Sequence, residues 1–183
     1  MRTPVSLLQR VKSQSDPLAW PQFVDVMLPL MSQWVGRLNL SRDDAADLIQ
    51  DVFLVLFQKL PTFQYDPAQS FRAWLWTVLK NRATDQARRN QPQRLDSQHE
   101  VPVVDVPLIE EAEYRRALIA QILTLVRSEM PEKMWRAFEE HCLNGRGADE
   151  VAAELVISPG SVYVAKGRAL KLVRERLENL LDD

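Results

Sequence analysis

The chain is expected to fold as an all-α protein, two helical domains joined by a flexible linker, the second carrying a helix-turn-helix. Three observations predict this. Apolar residues recur at three- and four-residue spacing along almost the whole chain. Glycine is scarce, 5 in 183 residues, and no convincing alternating apolar–polar run of strand length is present. The helical period breaks once, at Asn90 to Leu108, where NQPQRLDSQHEVPVVDVPL holds three prolines and no sustained period. The predicted division is therefore a domain over 1–91, a linker over 92–108 and a domain over 109–183.

Taken in order, the first helical pattern runs from about Leu18 to Leu38, and Pro21 places its start at Trp20 rather than Pro17. The second, Arg42 to Leu60, opens on Ser41 with Asp44 three residues later, a capping-box-like start. Its core stripe is Ala45, Leu48, Ile49, Val52, Phe53, Leu56 and Leu60. Opposite lie Asp43, Asp47, Gln50, Asp51, Leu54 and either Phe57 or Gln58, an acidic face broken by hydrophobes that suits a basic, partly apolar partner. The third pattern, Ser70 to Arg89, turns Phe71, Trp74, Leu75, Val78 and Leu79 inward and Arg72, Trp76, Thr77, Lys80, Asn81, Thr84 and Arg88 outward. A tryptophan among Lys and Arg suits single-stranded DNA, whose bases stack on aromatic rings at ~1–3 kcal/mol each while the cations hold phosphates. Phe63, Tyr65 and Phe71 around Asp66-Pro67 offer further stacking or a base-sized pocket.

Helical periodicity resumes near Ile109, restarts at Pro131 and stops at Asn144-Gly145, a C-cap signal. Ala148 to Leu177 then reads as a helix-turn-helix. Val151, Ala152 and Leu155 form the apolar stripe of a short helix with Asp149 and Glu150 in its first turn. Ser158-Pro159 restarts a second helix, with an acceptor at the N-cap and a fixed φ behind it. That helix buries Val162, Ala165, Ala169, Leu172, Val173 and Leu177 and faces Tyr163, Val164, Lys166, Gly167, Arg168, Lys171 and Arg174 away, the layout of a helix that enters a DNA major groove.

Charge supports two nucleic-acid contacts. Lys and Arg number 23 against 25 Asp and Glu, but the balance is uneven. Arg72, Lys80, Arg82, Arg88, Arg89 and Arg94 face one acid, Asp85, and Lys166, Arg168, Lys171, Arg174 and Arg176 face only Glu175. The acids collect at Asp43 to Asp51 and Glu110 to Glu113, where they oppose phosphate binding by the free protein. The single Cys142 excludes an intramolecular disulfide framework. No apolar run is long enough for a signal peptide or a membrane span, so a cytoplasmic protein without membrane insertion is expected. His99 and His141 with Cys142 do not complete a metal site, and no nucleophile–base spacing or phosphate cradle stands out. Neither an enzyme nor a cofactor or metal is expected.

Together these segments resemble an extracytoplasmic-function (ECF) sigma factor of bacterial RNA polymerase, over nearly the whole chain. DDAADLIQDVFLVLFQKL looks like the family's polymerase-binding helix and FQYDPAQSFRAWLWTVLKNRATDQARR like its melting loop and −10-reading helix. MPEKMWRAFEEHCLNGRGADEVAAELVISPGSVYVAKGRALKLVRERL looks like its −35-reading domain, and SLLQRVKSQSDPLAWPQFVDVMLPLMSQWV fits its first helix. The resemblance implies a region 2 domain over 1–91 and a region 4 domain over 109–183. It assigns Asp47, Gln50, Asp51, Leu54 and Phe57 to the clamp helices of the polymerase's largest subunit. It assigns Gln64, Tyr65, Gln69, Ser70, Arg72, Trp76, Lys80, Asn81 and Arg88 to the melted −10 strand. It assigns Ser161, Tyr163, Val164, Lys166, Gly167, Arg168 and Lys171 to the −35 duplex. The implied partners are core RNA polymerase, promoter DNA and an anti-sigma factor, with the free chain a monomer.

There are departures from the family pattern. Val156 stands in the turn where glycine is usual, so a β-branched residue accepts that geometry or the turn shifts. Ala165 stands where an arginine is common, removing a phosphate or base contact. Gly167 costs ~1 kcal/mol of helix propensity and lets the helix press closer to DNA. The rival reading is a stand-alone helix-turn-helix operator-binding regulator. It needs a dimer and a dyad site, but no dimer seam is evident and the acidic helix is left without a role.

Overall fold

A short helix, α1 (Leu7–Ser13), begins where Ser6 caps it by accepting from the Gln9 backbone N–H at 3.1 Å. In this computed structural model, residues 6–14, 16–64, 70–90, 110–178 and 180 are described. Helix α2 (Ala19–Val35) starts one residue before the expected Trp20 and carries Pro29 on its exposed side. It buries Ala19, Phe23, Val26, Met27, Leu30, Met31, Trp34 and Val35, a stripe wide enough to touch α1 and two other helices. The α1–α2 corner is tied by Arg10, which donates to the Asp16 carboxylate from Nε at 2.8 Å and to Gln22 Oε1 at 3.0 Å. Those donations, with that of the Leu18 backbone N–H, hold the Asp16 carboxyl below its ordinary value.

Helix α3 (Arg42–Lys59) opens as the sequence predicts: Ser41 Oγ accepts from the Asp44 N–H at 3.1 Å. A 3₁₀ turn, Leu60–Thr62, closes it. The buried residues of α3 are Leu48, Val52, Val55 and Leu56; Ala45, Ile49 and Phe53 are half-buried. Val55 was not in the expected stripe. Helix α4 (Phe71–Asn90) is capped by Ser70, whose Oγ accepts from the Ala73 N–H at 3.1 Å. It buries Phe71, Leu75, Val78, Leu79, Ala83 and Gln86. Trp74 is half-buried in an aromatic cluster, 4.5 Å from Phe63 and 5.7 Å from Phe71 between centroids.

Helix α5 (Glu111–Glu129) resumes after the expected linker, which lies outside the described residues. It packs on α2 and on the last helix, α8 (Pro159–Leu177). Tyr114 is the hinge pin of that arrangement: its ring lies 6.0 Å from Trp34, and its hydroxyl donates to the Leu180 carbonyl at 2.9 Å. Arg37 ion-pairs with Glu113 across the same seam, and Gln33 donates to Glu113 at 3.2 Å. Buried residues of both halves fall in one hydrophobic cluster. Glu113 spends its charge on this seam rather than opposing DNA.

Helix α6 (Glu132–Phe138) runs into a π-helical turn, Glu139–Leu143, closed by the Asn144 N–H donating to the Glu139 carbonyl at 3.0 Å. Gly145 follows at φ +72°, the left-handed stop that Asn144-Gly145 predicts. Helix α7 (Ala148–Leu155) ends in a three-residue turn. There Val156 adopts φ 53°, ψ 57°, so the β-branched residue accepts the left-handed geometry outright. Its N–H and that of Ile157 donate back to Ala153 and Ala152 at 3.4 and 3.0 Å, the double closure that ends many helices. Ser158 then caps α8, accepting from the Ser161 N–H at 3.2 Å.

Candidate polymerase and nucleic-acid interfaces

Three surfaces stay outside the cores. On α3, Asp47 and Gln50 are exposed, and Leu54 and Phe57 remain 55% and 49% exposed. Asp47 and Gln50 line a cleft of about 230 Å³ together with Asp44, Asp51, Gln86 and Arg89. Gln86 is buried in its floor and donates to the Asp44 carbonyl at 2.8 Å, locking α4 to α3. Asp51, which lines the same cleft as Asp47, is half-buried and accepts from Arg89 Nη2 at 2.9 Å. Arg89 thereby leaves the basic island of α4 to neutralise part of the acidic face. Phe57 is itself placed by Trp20 of α2, edge to face at 5.1 Å.

On α4, Lys80 Nζ sits 5.0 Å from the Trp76 ring centroid, a cation–π pair one turn apart. A cavity of about 470 Å³ beside it is lined by Lys80, Asn81, Arg82, Thr84, Asp85 and Arg88. Asp85 lies 3.7 Å from Arg82 and 4.0 Å from Arg88, so it spaces the two guanidiniums while lowering the local charge. Trp76 and Arg72 are half-buried and Asn81 and Arg88 exposed. Gln64 is exposed, Ser70 spends its oxygen on the helix cap, and Tyr65 and Gln69 lie outside the described residues. Phe71 is fully buried, and Phe63 packs against Trp74 with Lys12 Nζ 5.7 Å from its centroid.

On α8, Ser161, Tyr163, Val164, Gly167, Arg168 and Lys171 are exposed, and Lys166 is half-buried. Lys166 lies close enough to Cys142 to offset, in part, the rise that burial imposes on that thiol. Arg168 reaches back to Met134 Sδ at 3.9 Å, and Lys171 Nζ lies 3.8 Å from Glu175. Val162, Ala165 and Ala169 are buried as expected, while Leu172, Val173 and Leu177 are half-buried. Arg176 departs from the basic face altogether: it is buried and ion-paired with Glu129 of α5.

A sequence-family description, sigma-70 region 2, fits residues 23–93, which span α2 to α4. ECF RNA polymerase sigma factor SigF of Caulobacter vibrioides is 29% identical over 148 residues, 81% of this chain and 79% of that protein. ECF RNA polymerase sigma factor SigL of Mycobacterium tuberculosis is 29% identical over 153 residues, 80% of this chain and 83% of that one. These matches support reading the chain as an ECF sigma factor. It is a transcription initiation factor, a class without enzymatic activity, and the stand-alone operator-binding reading is not favoured. CnrH, solved in complex with the cytosolic domain of CnrY, aligns over 91% of this chain and 92% of that one at 21% identity and a TM-score of 0.38. Among the described residues of this sigma factor no helix is long and apolar enough to cross a membrane, and no cluster of His, Cys, Asp or Glu is arranged to hold a metal.

Two features of these surfaces escaped the sequence reading. One is the clamp around Arg146, whose guanidinium donates to Glu150 at 2.6 Å, Glu154 at 2.6 Å and Glu140 at 3.1 Å, joining the π turn to α7. Its signal was legible, because Glu150 and Glu154 follow at i+4 and i+8 on one helix face. Those bonds hold the Arg146 pKa above, and the Glu154 pKa below, their ordinary values. The other is His141, whose Nδ1 donates to the Arg146 carbonyl at 2.8 Å and whose ring meets Tyr163 edge to face at 5.5 Å. A π turn orients it, and nothing in the local sequence announces one.

Proposed function

We propose that the α3 face carrying Asp47, Gln50, Leu54 and Phe57 docks on the clamp helices of core RNA polymerase. In the same reading α4 holds the melted −10 strand through Trp76, Lys80, Asn81 and Arg88, and α8 enters the −35 major groove. The observation that carries this reading is Leu54 and Phe57, large hydrophobes kept out of the core beside two carboxylates and an amide. A solvated helix has no use for them; a basic, partly apolar partner does. Asp51 joins through Arg89, releasing that arginine when a partner cation takes its place. An anti-sigma factor belongs to the same proposal as a competitor for polymerase.

The shared core sets a condition on promoter reading. Elements centred about 25 base pairs apart lie ~85 Å apart along the duplex. A compact chain of this length has a radius of gyration of only ~16 Å. The region 2 and region 4 domains must therefore part at the α2–α5 seam when both elements are read. Run-off transcription with core polymerase on a promoter library tests the function directly. Asp47→Arg is expected to weaken core binding with helicity unchanged. Unaltered core affinity removes the docking assignment.

A further inference from the structure

We propose that α8 reads thymine in the −35 element through its C5-methyl group, with Val164 and Tyr163 as the reading side chains and His141 as a positioning residue for Tyr163. This rests on the reading of α8 as the −35 helix. The N-terminal residues of such a helix meet the base edges. In the major groove guanine is read mainly by Arg or Lys, adenine by Asn or Gln, and cytosine by Asp or Glu. The first seven residues of α8, PGSVYVA, contain none of these. Val162 and Ala165 are buried, and the Ser161 hydroxyl lies 2.8 Å from that of Ser158 at the cap. What faces outward is Tyr163 at 57% exposure and Val164 at 62%. Val164 has no polar side-chain atom, so a methyl is the base feature it can favour, and thymine alone among the four bases carries one there. The cations come later, at the half-buried Lys166 and the exposed Arg168 and Lys171.

Tyr163 does not swing freely. The π turn brings His141 against it edge to face, and the His141 bond to the Arg146 carbonyl fixes the imidazole in turn. Arg146 is anchored by three glutamates. The ring that would meet a methyl is thus held before DNA arrives, which saves ordering cost on binding.

The test uses holoenzyme assembled from core polymerase and the full chain. Duplexes are selected from a library randomised at −35, then resynthesised with deoxyuridine for each −35 thymine. The selected sites are expected to contain thymine, and each methyl removed should weaken binding about fourfold. Val164→Ala should erase the loss at one position. His141→Ala should shrink it at another, and His141→Phe, which keeps a ring, should restore it. Equal binding of thymine and uracil duplexes, with Arg168→Ala still weakening both, overturns methyl reading but leaves the −35 assignment standing. An absent −35 footprint that Arg168→Ala does not change removes that assignment as well. Loss of core affinity in Val164→Ala without DNA makes the patch a protein contact and overturns the proposal.

Discussion

The two hydrophobic clusters of this sigma factor are built on different plans. The larger runs through α1 to α6 and draws in Ala169 and Leu180, and beside Val, Leu and Met it holds large rings, such as Phe23 against Phe71 and Trp20. The smaller, under the α7–α8 corner, consists of Ala137, Val151, Ala152, Leu155, Val162 and Ala165. Small side chains let α7 and α8 approach closely but bury little area, so that corner leans on polar devices: the Ser158 cap and the Arg146 clamp. The larger core is damaged by truncating a large side chain, whereas the thin cluster depends on its caps, its charges and the smallness of its residues. The comparison teaches where each kind of substitution will hurt.

The largest effect should come from emptying the seam. Tyr114 is buried, packs on Trp34 and donates to Leu180. Tyr114→Ala should cost about 3–5 kcal/mol in urea unfolding. Tyr114→Phe, which leaves the Leu180 carbonyl unanswered, should cost about 1 kcal/mol. A loss under about 1 kcal/mol for the alanine variant would mean that the seam adds nothing to the larger core.

The smaller cluster should fail to the opposite change, an insertion. Ala165 occupies the place where the family commonly carries arginine, which invites a restoring substitution. Yet Ala165 is wholly buried against α7. Ala165→Arg should destabilise the α7–α8 corner by about 2–3 kcal/mol through overpacking, rather than gain a DNA contact. Tighter promoter binding by that variant would show that α8 rolls on its bed and that the thin cluster is not a rigid one.

Much of this contrast was legible beforehand and part was not. Helix positions, the Ser41 and Ser158 caps and the inward stripe Val162, Ala165, Ala169 follow from local spacing, because caps and periodicity are properties of a few neighbouring residues. So did the outward placing of Leu54 and Phe57. What distance in sequence conceals is pairing: Asp51 with Arg89, Arg176 with Glu129 and Arg37 with Glu113 are separated by 38, 47 and 76 residues. Asp51, Arg89, Arg176 and Glu113 were counted as surface charge, and each is spent on a pairing between elements.

A third change should strengthen the weaker corner. Val156 sits at φ 53° with 84% of its surface exposed, so it pays the steric penalty of left-handed geometry without a packing return. Val156→Gly should raise stability by about 1 kcal/mol, the relief of that penalty less the extra entropy of an unfolded glycine. The gain should appear as slower exchange of α7 and α8 amides with no change in α2 or α4. A uniform change through both halves would show that the corner and the larger core unfold as one unit.

The smallest expected effect is acid sensitivity, and it separates the clusters by mechanism. The Arg146 hydrogen bonds hold the Glu154 carboxyl below its ordinary value of 4.5. A carboxylate depressed in the folded state stabilises fully above its unfolded pKa and loses that contribution as pH falls through the folded one. The clamp should therefore loosen below about pH 4.5, with methyl signals of Val151 and Val162 shifting in that window. Glu154→Gln should flatten this acid limb at α7–α8 alone. Asp16 is depressed likewise, chiefly by Arg10, but it sits at the edge of a core that already buries Leu7, Leu8, Val11 and Phe23. Asp16→Asn should thus leave the Val26 and Val52 signals steady over the same range. If those residues respond to acid as strongly as the α7–α8 corner does, the larger core too depends on its charges, and the distinction between the two plans fails.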